Sequence, residues 1–187
     1  MQLRTANEDD LAEVGALHYR SRAAAYAHFL SPATLTFGGG GALGEWWTER
    51  WRWERDTHRM TVAVDDDLLV GFAYVGPGEE PGTTELNAIH VDPVYVGTGV
   101  GRLLMRDALR HLDGRAVLWV LEGNERARRF YERGGWAFDG TVRDVPWADE
   151  MTKQLRYTML IPAPGPPDGA ENPEKPEKIG GRERATE

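Results

Sequence analysis

The sequence predicts one mixed α/β (α+β) domain over residues 1–161. Three observations carry this reading. Short runs of β-branched and aromatic residues alternate with stretches of helical period. The helices of the second half each follow a single strand, which calls for at least one parallel crossover. The chain of 187 residues also suits a single domain, since domains usually run to about 100–200 residues.

The elements follow in order. Residues 3–6 read as a short strand. Asn7 can cap a helix, with Asp10 three residues on forming a capping-box pair and Leu11, Val14 and Leu17 at helical spacing. Residues 30–44, with four consecutive glycines, read as a loop, and 45–56 as a second helix. Strands at 61–64 and 68–75 are joined by Asp65-Asp66-Asp67, a solvated turn without the alternating ligands and glycine of an EF-hand loop. A strand covers 84–91. Over 99–112, Val100, Leu103, Leu104, Ala108 and Leu112 form one helical stripe that stops at Asp113-Gly114. A strand at 116–121, a helix at 124–133 and strands at 136–139 and 156–161 complete the domain. Residues 162–187 are rich in proline and charge and poor in apolar side chains, and read as a disordered tail.

Composition narrows the function classes. With no cysteine, disulfides, thiolate metal sites and a cysteine nucleophile are excluded, and no metal site is expected. Net charge is −8, from 30 acidic against 22 basic residues, which argues against nucleic acid as partner. No apolar run approaches the ~18 residues of a membrane span. A cytoplasmic protein without membrane or nucleic-acid partners is the expectation.

The chemistry concentrates in two stretches. In Val91-Asp92-Pro93-Val94-Tyr95-Val96-Gly97-Thr98-Gly99-Val100-Gly101-Arg102, a strand runs through a glycine-rich turn into an amphipathic helix. Glycines 97, 99 and 101 allow a tight turn and close approach of a ligand. The free N–H groups of the helix's first turn make an anion site suited to pyrophosphate, and Arg102 can add a charge-assisted contact. The spacing fits neither a P-loop, which needs Gly-Lys-Ser/Thr, nor a dinucleotide fingerprint. A tight turn with no ligand stays open from the loop alone. In the second stretch, Asn124 is a good N-cap, Ala127 permits close approach, and the adjacent Phe130 and Tyr131 point in different directions, so that one can enter the core while the other faces a cleft.

Together the two stretches resemble the Gcn5-related N-acetyltransferase family. The first is similar to that family's acetyl-CoA motif, ending here at Gly101. The second is similar to its later motif, matched at Asn124, Ala127, Phe130, Tyr131, Gly135 and Trp136. Residues 85–91 and the late Arg156-Tyr157 strand fit the same pattern. Val96 stands where the family has Arg or Gln; the backbone donor remains and the long polar side chain is lost.

The resemblance implies an acyl-CoA N-acyltransferase fold, a mostly antiparallel central sheet with a splayed strand pair, flanked by helices. It implies acetyl-CoA as co-substrate, with pantetheine along His90 and Val91, pyrophosphate on the amides of Val96, Gly97, Thr98, Gly99, Val100, Gly101 and Arg102, Asn124 against pantetheine, and Tyr131 near the thioester sulfur. The expected reaction is direct acetyl transfer to a primary amine, of a small molecule or a peptide, in a ternary complex. The alternative is a non-catalytic acyl-CoA-binding regulatory module. Three catalytic functions are needed: a base for the ammonium proton, an oxyanion donor, for which a strand N–H near Val91 is the candidate, and an acid for the leaving thiolate, for which Tyr131 is the family's usual residue. Glu85, at the start of the strand lining the cleft, is the first candidate base. His90, expected to be partly exposed, is the second. Strand alternation puts Glu85 and His90 on opposite faces.

Tyr26, His28 and Phe29 are the expected substrate wall, with Trp47 from the next helix. That helix carries Trp46, Trp47, Trp51 and Trp53. One of its faces belongs to the core; rings on the other could hold an ammonium by cation–π attraction or pack a homodimer.

Overall fold

The computed structural model describes residues 1–36 and 39–162. From residue 163 on, the tail expected at 162–187 lies outside the described residues. Seven strands form one sheet in the order β1-β2-β3-β4-β5-β7-β6. In chain order they are β1 (Gln2–Thr5), β2 (Arg59–Asp65), β3 (Leu68–Pro77), β4 (Thr83–Val91), β5 (Gly114–Leu121), β6 (Ala137–Trp147) and β7 (Glu150–Ile161). The helices are α1 (Leu11–Tyr26), α2 (Pro32–Thr36), α3 (Gly39–Glu54), α4 (Val100–Ala108) and α5 (Glu125–Arg133).

All neighbouring strands are antiparallel except β4 and β5, which are parallel across the α4 crossover. Their pairing covers only Thr83–Glu85 against Arg115–Val117. Beyond Glu85 and Val117 the two strands part, and the sheet opens into a fork. The mostly antiparallel sheet with a splayed pair is the architecture that the motifs implied.

Each face of the sheet buries its own core. Leu11, Val14 and Leu17 of α1 and Trp47 of α3 pack on Met60, Val62, Phe72 and Tyr74. On the other face, Val100, Leu104, Met105 and Ala108 of α4 and Tyr131 of α5 pack on Ala73, Val75, Leu86, Leu118, Val120 and Tyr157.

Asn7 caps a short 3-10 turn leading into α1. The Asp9 amide donates to Asn7 Oδ1 at 2.9 Å, and the Asn7 amide donates to Asp10 Oδ2 at 2.8 Å. The expected loop at 30–44 is corrected: it holds α2 and the first turns of α3. Glycine disfavours a helix by about 1 kcal/mol per residue, but here it lets two helices touch. A Cβ on Gly15 of α1 would stand 2.2 Å from the Gly44 nitrogen of α3, and one on Gly40 would meet Ala16 at 3.5 Å. Tertiary contact overrides the local preference.

The last two strands are also longer than expected. β6 and β7 form a hairpin through a turn with Ala148 at φ 50°. β6 lies at the sheet edge, most of its residues are exposed, and it contains Pro146, which only an edge strand tolerates easily. It therefore lacks the apolar alternation that would reveal it in the sequence.

Candidate active site

At the open end of the fork, β4 runs into the glycine-rich turn. Two of the seven expected amides are already used: Val96 N–H donates to Pro93 O at 3.4 Å and Thr98 N–H to Tyr95 O at 3.2 Å. Among the described residues, no backbone acceptor meets the N–H groups of Gly97, Gly99, Val100, Gly101 or Arg102. Gly97 and Gly99 hold φ of 87° and 105°, a region that favours glycine, and Gly99 caps α4. A Cβ on Gly101 would meet Phe130 and Val91 at an ordinary 3.7 Å. Contacts within the chain therefore do not require that glycine. Arg102 Nη2 reaches within 3.8 Å of the Gly99 Cβ position. Unpaired donors at a helix N-terminus with a guanidinium beside them fit a diphosphate.

Across the fork, Asn124 caps α5, its Oδ1 accepting from Ala127 N–H at 3.2 Å. Two helical turns on from Asn124, Tyr131 is buried. Among the described residues no hydrogen-bond partner meets its hydroxyl, and burial, with Tyr26 nearby, raises its pKa. It stays protonated at neutral pH, as a proton donor must.

The end of α1 closes over this region. Tyr26 meets Trp147 edge-on at 5.5 Å and Phe29 at 5.4 Å, and burial pushes its pKa up to about 12. His28 is exposed, its Nε2 lying 3.3 Å from Gly123 O. Glu150 ties the following segment to the β6–β7 hairpin, accepting from Ser31 N–H at 3.0 Å and Thr34 Oγ1 at 2.7 Å. Tyr26, His28 and Phe29 thus gather beside Asn124 and Tyr131. Trp47 does not join them. It is 1% exposed and lies in the core between α1 and the sheet, donating from Nε1 to His18 Nδ1 at 3.2 Å. The outward rings of α3 are Trp46 and Trp53. Trp47 is therefore a core residue; the helical phase that hides Trp47 is set by the Gly15–Gly44 contact.

The expectation that Glu85 and His90 lie on opposite faces is corrected. Tyr74 pairs with Ala88 and Val75 with Leu86, so Asn87 is an extra residue in β4. This bulge reverses the alternation. His90 lies opposite Phe72 and Glu85 opposite Gly76, both on the face covered by α1 and α3.

The two candidates differ in surroundings. His90 is half-buried, its ring 4.2 Å from that of His18 and 5.3 Å from Phe72, with Nδ1 3.2 Å from Ser21 Oγ. Burial, with Arg22 nearby, brings its pKa down to about 4. Glu85 is half-buried without a hydrogen-bond donor on its carboxylate among the described residues. Burial and the nearby Glu79 raise its pKa, more than Arg143 and Arg50 lower it.

Glu85 opens on a depression of about 170 Å³ with Val117, Trp119, Thr141 and Arg156. Arg143 of β6 covers the Trp119 ring at 3.9 Å, and Arg156 pairs with Asp139 at 2.7 Å. The sequence reading missed Trp119, Arg143 and Arg156. Strand alternation, which places Trp119 on the same face as Val117, was a usable signal for the first. The arginines come from the edge hairpin, whose register the sequence does not reveal.

Residues 29–136 match the family model described as Acetyltransferase (GNAT) family. The match covers more than half the chain and both motifs, and the chain belongs to that family. It is an acetyltransferase, and acetyl-CoA is the family's acetyl donor, which favours the enzyme over the non-catalytic module. The chain is 28% identical over 169 residues to "Probable N-acetyltransferase" of Mycobacterium tuberculosis, an alignment covering 88% of this chain and 96% of that protein. It is 36% identical over 98 residues to mycothiol acetyltransferase of Brachybacterium faecium, covering 48% of this chain and 29% of that longer protein. The fold is similar to that of the PaiA N-acetyltransferase of Thermoplasma acidophilum in complex with coenzyme A, with TM-score 0.67 and 17% identity, covering 83% of this chain and 96% of the other. Among the described residues, no helix is long and apolar enough to cross a membrane.

Proposed function

We propose that the protein transfers the acetyl group of acetyl-CoA to the primary amine of a small molecule or a peptide, by direct attack in a ternary complex. The observation that carries this reading is the junction of five unpaired loop amides with the fork between β4 and β5. Acetyl-CoA supplies an activated thioester: the amine nitrogen bonds to its carbonyl carbon, the C–S bond breaks, and coenzyme A leaves as the thiol.

The chain's residues divide the remaining work. Gly97, Gly99, Val100, Gly101 and Arg102 hold the diphosphate, and the backbone near Val91 and the side chain of Asn124 line the arm. Tyr26, His28 and Phe29 wall the acceptor. Glu85 accepts the proton that the ammonium must lose; its raised pKa brings it toward neutral, where a base works best. His90, depressed to about 4, is the weaker base. Tyr131 donates the proton that the leaving sulfur requires.

The test is release of free thiol from acetyl-CoA over a panel of primary amines. Amine-dependent release is expected. Glu85→Gln should lower kcat/KM by about 10²-fold at neutral pH, within the range for an acid–base group, and by less as pH rises and the amine arrives deprotonated. Acetyl-CoA binding without amine-dependent thiol release across the panel would overturn amine acetylation. An acidic limb that survives in Glu85→Gln and vanishes in His90→Gln would move the base to His90.

A further inference from the structure

Arg50 of α3 has no part in the roles just assigned, yet it reaches the feature that orients Glu85. Its Nη2 donates to Asn87 Oδ1 at 2.7 Å and its Nε to Glu54 Oε2 at 2.5 Å. Asn87 is the bulged residue of β4, and its Nδ2 donates in turn to Glu85 O at 3.3 Å. Glu54 is anchored from the other side, accepting from Tyr74 hydroxyl at 2.8 Å. The guanidinium lies among three rings, with centroids at 5.3 Å for Trp46, 5.7 Å for Trp47 and 5.0 Å for Tyr74.

A bulge by itself is a soft feature, because the extra residue loses its place in the ladder. This one is held by a cation fixed at both ends. Without it, strand alternation would turn Glu85 to the opposite face of the sheet.

We propose that Arg50 is a positioning residue of the active site: by clamping the Asn87 bulge to Glu54 it fixes the face and direction from which Glu85 meets the acceptor amine. The inference rests on Glu85 as the base.

The charge of Arg50 has a second consequence. The groups facing Glu85 are Glu79 and Glu80 from the β3–β4 loop, Arg143 from β6, Arg156 from β7 and Arg50 from α3. Arg50 and Arg143 favour the ionised carboxylate while Glu79 opposes it. Removing the Arg50 charge moves Glu85 further up, and the acidic limb of the rate profile with it.

The test compares Arg50→Gln, Arg50→Lys and Asn87→Ala in the full chain, with acetyl-CoA and an amine that the native protein turns over. Arg50→Gln should lower kcat/KM for the amine at least tenfold and shift the acidic limb to higher pH. Acetyl-CoA affinity, measured by calorimetry, should stay within about twofold, since the diphosphate cradle lies at the other end of β4. Arg50→Lys keeps the charge and should leave the limb in place with an intermediate rate. Asn87→Ala spares the Arg50–Glu54 pair, and so should fold even if Arg50→Gln does not; it should lower kcat/KM at least fivefold with the limb unmoved. Native kcat/KM in Asn87→Ala, or in folded Arg50→Gln, overturns the proposal. If instead Glu85→Gln keeps the native limb, Glu85 is not the base and the proposal falls with that assignment; a Glu85→Gln that loses the limb beside native kcat/KM in the Arg50 and Asn87 variants overturns the clamp alone.

Discussion

Phe29 lies across Gly123 so closely that a Cβ on the glycine would stand 2.6 Å from the Phe29 Cγ. The contact joins the end of α1 to the β5–α5 turn, immediately before Asn124. The proposed acceptor wall and the proposed cofactor side of the fork therefore meet at one glycine.

Gly123→Ala should displace Phe29 and loosen the wall. The expected outcome is a rise of about fivefold or more in amine KM, near 1 kcal/mol, with a stability loss of about 1–3 kcal/mol from overpacking. Steady-state kinetics and urea denaturation check both. An unchanged KM in a folded variant would remove Phe29 from the wall.

Gly101 offers a cleaner test of the cradle. Its Cβ position is at ordinary contact distance, so Gly101→Ala should melt near the native temperature. Gly101→Val adds branched carbons beside Phe130 and Val91 in the first turn of α4, and should raise the acetyl-CoA dissociation constant at least about tenfold, or 1.4 kcal/mol. Calorimetry on both variants measures it.

Tyr131→Phe keeps the ring and its packing while removing the hydroxyl. If that hydroxyl protonates the leaving sulfur, kcat should fall by about 10²-fold with acetyl-CoA affinity unchanged. Stopped-flow thiol detection at saturating acetyl-CoA distinguishes this from a binding defect.

His18 and His90 couple pH to stability. Burial depresses both, His18 well below its ordinary value and His90 down to about 4. The unfolded chain therefore takes up protons first as pH falls, near 6.5. The stability they contribute is fully present above about pH 6.5 and is lost as pH falls toward 4. The unfolding free energy should drop by roughly 3 kcal/mol across that window from His90 alone. His90→Gln should flatten the slope between pH 6.5 and 4.5; an unaltered slope would show that His90 does not carry it.

By itself the sequence determined the local features. The Asn7 capping box, the strand–turn–helix at 91–102 and the Asn124 cap rest on residues within a few positions of one another, and each motif states its own geometry. The parallel crossover through α4 and the unpaired amides of the glycine-rich turn follow from that local order. Tertiary structure decided what depends on contacts between distant segments. The glycines at 39–44 become helix only because Gly15 of α1 and Gly44 of α3 touch, and the same contact buries Trp47. Glu85 shares a face with His90 because Asn87 is inserted against Tyr74 and Val75, and a one-residue shift in strand pairing turns every side chain beyond it. Trp119, Arg143 and Arg156 meet through the register of an exposed edge hairpin, whose side chains carry no apolar alternation. Burial and pairing across the sheet, rather than residue type, separate the environments of Glu85 and His90, because desolvation depends on what the whole fold brings around each group.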